Sequence, residues 1–312
     1  MKRRDLLKYA GLGTVALAAT NSLDVFSSER KTVIKSKRVL RIAHITDIHI
    51  QPEKNAAEKF AACLRFIHSL SDRPDVIFST GDHVMDSLDQ SKERVKQQWD
   101  VWNRVVKAEN SLPIHHCLGN HDCWTGPGSK NDPLGGKKFA CDQLGLDRPY
   151  YSFDKNGWHF IVLDSTFLDS GQGYLGKLDE EQFTWLQHDL KSLDSKTPVM
   201  VLSHIPILGV SVFFDGENEK NGLNWNVPGA WMHIDARKIT DLFYQHPNLK
   251  LCISGHIHLK DSAEYNNVSY FCNGAVCGNW WDGVYHQTPP GFALIDLFDD
   301  GTFRNQYLPY DK

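Results

Sequence analysis

The chain has 312 residues, of which 41% are apolar, and a formal charge of −4. That is long enough for one large α/β domain, and an acidic chain is a poor partner for nucleic acid, which is tracked by basic surfaces. Seven cysteines form no metal-binding CxxC pair and are odd in number, so they read as buried free thiols and not as a disulfide framework, with Cys272 and Cys277 the one pair placed to meet across a turn.

The amino terminus differs in kind from the rest. Lys2-Arg3-Arg4-Asp5-Leu6-Leu7-Lys8, followed by a mildly apolar run to Ala19, has the layout of a twin-arginine export signal, with a small-x-small site at Ala16-Leu17-Ala18. The run is too short and too rich in small residues for a stable membrane span. The alternative is a basic tail or an amphipathic anchor. The expected organisation is an export signal over 1–20, a polar spacer over 21–38 and one catalytic domain over 39–312, in a periplasmic or extracellular protein. Losing residues 1–18 removes four basic side chains against Asp5 and moves the charge to −7.

From residue 39 onward, apolar strand-like runs each end in a short polar cluster. Residues 39–45 lead into Asp47-Ile48-His49, and a helical pattern over 55–70 follows. Residues 75–78 lead into Gly81-Asp82, and a second helical pattern carries Val95, Trp99, Trp102 and Val106. Residues 113–118 lead into Gly119-Asn120-His121-Asp122. A hairpin follows, 150–154 with 158–164, turning at Lys155-Asn156-Gly157. An amphipathic helix over 179–193 precedes a strand over 198–202 and His204. Residues 208–231 carry Phe213, Phe214, Trp225 and Trp231 without a clean period and read either as a lid or oligomer contact, or as a loop pinned by its own aromatics. A strand over 249–253 leads into Gly255-His256-Ile257-His258, and strands over 269–272, 292–298 and 302–307 close the chain.

Strand, helix, strand, helix, strand is the start of a parallel βαβ series, and the carboxyl ends of parallel strands share one sheet edge. The clusters therefore meet in space. What meets is Asp47, His49, Asp82, Asn120, His204, His256 and His258, with His121 and Asp122 in addition. Seven such donors exceed one tetrahedral site and suit two cations sharing a carboxylate, for which Asp82 is the expected bridge.

Asp-x-His, Gly-Asp, Gly-Asn-His-Asp, His and Gly-His-x-His, in that order, resemble the calcineurin-like metallophosphoesterases over residues 39–260. The branch most similar contains the class III cyclic nucleotide phosphodiesterases. Purple acid phosphatases are less similar, since Met85 stands where they carry a tyrosine ligand. The resemblance implies a four-layer αββα sandwich of two mixed sheets flanked by helices. It also implies two divalent ions (Mn, Fe, Zn or Co), one on Asp47, His49, Asp82 and His258 and the other on Asp82, Asn120, His204 and His256. The implied reaction is hydrolysis of a small phosphoester, diester before monoester, by in-line attack of a metal-bridging hydroxide.

His121 is left as the leaving-group acid, and Asp122 is expected to fix its tautomer. Asp164 and His159 are further candidates for support, and Trp124, His83, Trp280 and Trp281 either touch substrate or pack. A rival reading is a catalytically silent protein-binding scaffold on the same fold, which should have lost ligands or the acid. This chain retains them all.

Overall fold

Alternation within the strands decides the layering. In β1 (Arg38–Ile45), Leu40 and Ile42 enter one buried cluster and Ala43 and Ile45 another. The computed structural model describes residues 36–169, 173–215 and 225–310. The expected export signal and nearly all of the spacer lie outside them.

β1 is followed by α1 (Ala56–Ser69), β2 (Val76–Ser79), α2 (Lys92–Glu109) and β3 (Ile114–His116). Next come α3 (Lys138–Leu144), β4 (Tyr151–Lys155), β5 (Trp158–Val162), β6 (Thr166–Asp169), β7 (Gly173–Gly176) and α4 (Glu180–Ser192). The last third holds β8 (Val199–Leu202), α5 (Ala236–Tyr244), β9 (Leu249–Ser254), β10 (Lys260–Tyr265), β11 (Val268–Asn273), β12 (Gly291–Phe298) and β13 (Phe303–Pro309).

Two mixed sheets form the centre. The first has the order β13-β12-β1-β2-β3, with β1, β2 and β3 mutually parallel. The second has the order β10-β11-β9-β8-β5-β4, with β5, β8, β9 and β11 parallel. Leu40, Ile42, Phe78, Phe160, Met200, Leu202, Ile253 and Ile295 belong to one buried cluster drawn from both sheets. On the outer face of the first sheet, α1 and α2 bury Phe60, Leu64, Trp99 and Trp102; on that of the second, α4 and α5 bury Phe183, Leu186, Ile239 and Phe243. The result is the four-layer αββα sandwich.

Local chemistry sets the boundaries. Ser91 and Asp179 cap α2 and α4 by accepting from Arg94 N (3.2 Å) and Gln182 N (2.7 Å). Asn156 and Gly157, both with positive φ (52° and 84°), make the two-residue β4–β5 turn. All seven cysteines are free and buried. Among the described residues no helix is long and apolar enough to cross a membrane.

Buried His44 shows how closely polarity is matched to the core. It accepts from Asn273 Nδ2 at Nδ1 (2.9 Å) and donates from Nε2 to Thr80 Oγ1 (2.7 Å). Burial pushes its pKa down to about 3. An unfolded chain takes up that proton near pH 6.5 whereas the folded one refuses it, so stability falls as pH drops from about 6.5 toward 3, by up to about 1.4 kcal/mol per pH unit for one proton. Urea unfolding at stepped pH should show a flatter acid slope in His44→Gln than in the parent; equal slopes would remove His44 from the account.

Candidate metal centre

The parallel strands β1, β2 and β3 of one sheet and β8 and β9 of the other each end just before a candidate donor. Asp47 and His49 follow β1, Asp82 follows β2, Asn120 and His121 follow β3, His204 follows β8, and His256 and His258 follow β9. The loops are braced through their backbones: His49 N donates to Asp82 O (2.9 Å), Asp47 N to Gly81 O (3.1 Å), and Gly255 N to His204 O (3.1 Å).

Bending these loops inward has a conformational cost. Asp47, His49, Asp82, His256 and His258 all lie in the left-handed region, with φ of 51°, 45°, 51°, 74° and 59°. A non-glycine residue held there costs about 1–3 kcal/mol, and such strain collects where function requires it. The motif glycines mainly provide space. A Cβ at Gly119 would strike the Asp82 carboxylate, and one at Gly255 would strike Thr46 and Asp47.

Each of four imidazoles has one nitrogen tied to the backbone and the other turned inward. His49 Nδ1 donates to Met85 O (3.2 Å), His204 Nδ1 to Thr80 O (2.7 Å), His256 Nε2 to Ala230 O (2.8 Å) and His258 Nδ1 to Gly278 O (2.7 Å). In the neutral rings the inward nitrogens carry lone pairs that face one another: His49 Nε2 is 3.1 Å from His258 Nε2, and His256 Nδ1 is 3.2 Å from His204 Nε2. His204 Nε2 also lies 3.0 Å from Asn120 Oδ1. Acceptors crowded so closely repel unless a proton or a cation sits among them, and imidazole, carboxylate and amide oxygen together are a donor set that fits metal.

The donors form two groups with one shared member. His258 Nε2 is 3.6 Å from Asp47 Oδ1 on the His49 side, and Asn120, His204 and His256 make the other side. Asp82 Oδ2 stands between them, 3.5 Å from His49 Nε2 and 3.2 Å from His204 Nε2, while its Oδ1 accepts from His121 N (2.8 Å). Thus one oxygen faces both groups, and the carboxylate does not span them with two.

Electrostatics also call for positive charge here. Burial opposes ionisation of Asp82, but His204, His121 and His49 outweigh it and hold the carboxyl well below its usual range. Burial likewise opposes the charged form of His204, yet Asp82 raises its pKa to about 9. His256 is pushed the other way, to about 3, by burial and by His204.

The expected partnership of Asp122 with His121 is corrected by the structure. Asp122 is fully buried and points backward, accepting from His83 N and His83 Nδ1 (both 2.9 Å) and from Gly119 N (2.9 Å). It clasps the Gly-Asp loop to the Gly-Asn loop, because adjacent side chains in this turn diverge. The carboxylate beside His121 Nδ1 is Asp86, at 3.2 Å. His83 is therefore part of the scaffold, as is Trp124, whose Nε1 donates to Gln90 O (2.9 Å). Asp164 is paired with Lys137 and His159 with Asp154 and Asp189, so these bonds turn both toward the fold.

The two tryptophans part company. Trp281 is buried and donates from Nε1 to His49 O (2.9 Å), whereas Trp280 packs on the His258 ring (centroids 4.5 Å) and faces the cavity. That cavity, about 280 Å³, is lined by His49, Asp82, His121, His256 and His258 and by Tyr174, Asp215, Trp231, Ile257, Trp280 and Tyr285. Tyr174, Asp215 and Tyr285 carried no motif in the sequence. In the 208–231 segment, Val212 and not an aromatic side chain is fully buried; Phe214 and Trp225 are exposed, and Trp231 reaches the cavity.

Comparison with known proteins agrees with this geometry. The family described as calcineurin-like phosphoesterase matches residues 40–260. A 3′,5′-cyclic-nucleotide phosphodiesterase of Nostoc sp. is 26% identical over 293 residues, covering 89% of this chain and 96% of that protein. A 3′,5′-cyclic adenosine monophosphate phosphodiesterase of Haemophilus influenzae is 23% identical over 283 residues, covering 86% and 90%. A dimetal phosphatase of Danio rerio shares the fold with a TM-score of 0.60 at 14% identity, over 88% of this chain and all of that one. With the motif loops of both sheets gathered around one cavity and the match running through all of them, the chain belongs to the calcineurin-like phosphoesterase family and is a metal-dependent phosphoesterase.

Proposed function

We propose that the protein hydrolyses small phosphodiesters with two divalent cations that share Asp82. The observation that carries the pair of ions is the position of Asp82 Oδ2 between His49 Nε2 and His204 Nε2. Asp47, His49 and His258 would complete one site, and Asn120, His204 and His256 the other. When bound, the ions acidify water to supply the nucleophile and offset charge on the phosphoryl oxygens.

The chain's own groups do the rest. The four backbone-tied imidazoles keep their inward nitrogens aimed, so binding requires no rotamer search, and the proton that Asp82 favours on His204 would leave as a cation takes its place. Asn120 Nδ2 is buried with no partner among the described residues and is free to donate to a phosphoryl oxygen. His121, half-buried and held by Asp86, is placed to give a proton to the leaving oxygen.

The diester preference is supported by charge. No Lys or Arg stands among the described residues lining the cavity, and Asp215 adds a carboxylate to its wall. A diester brings one negative charge and a monoester nearly two, so this wall opposes the monoester. The names of the relatives point the same way. The test is metal content of purified protein together with turnover of an aryl diester, the matching aryl monoester, a cyclic nucleotide and a phosphoprotein. Two metal equivalents and a kcat/KM at least about 10-fold higher for the diester are expected, the difference that about 1.4 kcal/mol of repulsion produces. Bound metal with faster monoester turnover, or with no turnover, would contradict the proposal.

A further inference from the structure

Trp280 is not absorbed by the reaction described above, yet the chain strains to place it. Trp280 and Trp281 both have positive φ, 45° and 74°, a conformation that bulky side chains avoid. Trp281 holds the turn from within, through its bond to His49 O and through Lys59 Nζ, which donates to Trp281 O (2.6 Å). Lys54 Nζ grips the turn from outside at Trp280 O (3.3 Å) and Asp282 Oδ2 (2.6 Å). The indole that results lies against His258 and stands nearly perpendicular to Tyr285 (centroids 5.5 Å, 84°). Tyr285 is itself fixed, since its hydroxyl donates to Asp215 Oδ1 (2.6 Å). Trp231 and Tyr174 complete the aromatic part of the wall.

We infer that Trp280 and Tyr285 form an aromatic corner that selects phosphodiesters carrying a planar ring, a nucleobase being the fitting class, with Trp280 the residue that sets this preference. Rings stack on or meet the edge of such a corner, and every base has a π face to offer. An alkyl diester finds no corresponding contact. The inference rests on the diester reading above.

The test uses two substrates identical at phosphorus, a 3′,5′-cyclic nucleotide and the cyclic phosphate of 1-O-methylribose, with wild type, Trp280→Phe, Trp280→Leu and Trp280→Ala. Metal per chain is measured for each. Wild type should prefer the nucleotide, chiefly through KM. Trp280→Leu and Trp280→Ala should lower its kcat/KM about 10-fold or more while the base-free ester changes less than about 3-fold, and Trp280→Phe should keep most of the preference. Equal losses on both esters, or loss of metal in Trp280→Leu as well as in Trp280→Ala, would make Trp280 a support for His258 and overturn the inference while the diester reading stands. If wild type cleaves neither ester, both fall.

Discussion

Asp82→Asn is expected to leave a folded protein that has lost nearly all activity and at least one metal equivalent. The reason lies in what each oxygen does. Oδ1 accepts from His121 N, and an asparagine carbonyl can take that bond over. Oδ2 faces His49 Nε2 and His204 Nε2, and there an amide NH₂ would present two donors to two lone pairs. The variant thus satisfies the imidazoles with hydrogen bonds where the parent has a carboxylate for metal, so folding survives and metal binding does not. Loss of an outer partner alone reduces metal affinity about 10–100-fold, and removing a shared anion should do at least as much. The measurement is metal per chain by elemental analysis, alongside thermal unfolding and diester turnover. Two metals retained at a near-parental rate would show that Asp82 is not shared.

Much of this arrangement was legible in the sequence because its donors sit at the ends of strands, each marked by the apolar run that stops and, at Asp82, Asn120 and His256, also by the glycine just before the donor. The expected helices over 55–70 and 179–193 correspond to α1 and α4, whose apolar spacing repeats over several turns. Elements without such a pattern were not legible. β10 is an edge strand of mostly exposed polar residues, and α5 is short and follows the aperiodic segment over 208–231. The cavity wall was hidden for a different reason. Tyr174, Asp215 and Tyr285 come from a hairpin and two loops brought together by tertiary packing, and nothing local distinguishes them from surface residues. Asp122 shows the converse limit: a motif fixes which residues recur together, and the turn decides which way each side chain points.

His121→Asn should cost far more on an alkyl ester than on a nitrophenyl ester. An alkoxide leaves poorly without a proton, whereas nitrophenolate departs almost unaided, so only the first reaction depends on a general acid. His121 lies beside the shared carboxylate, with its backbone on Asp82 and its ring 4.9 Å from that of His49, and it is half-buried at the cavity wall. Burial opposes its charged form, but among the protein's own charges Asp82 and the hydrogen bond to Asp86 prevail and raise its pKa above the ordinary imidazole value; cations on Asp82 would oppose that rise and leave Asp86 to support the proton. The protonated ring is the working form, so alkyl-ester turnover should fall as pH rises through the pKa that Asp86 sustains in the metal-loaded site. Asp86→Asn should move the fall to lower pH, and Asp122→Asn, which touches His83 and not His121, should not. The expected loss for His121→Asn is about 10²-fold on the alkyl ester and much less on the nitrophenyl ester, with metal content unchanged. Equal losses on both would make His121 a stabiliser of phosphoryl charge, and a lost metal equivalent would make it a ligand.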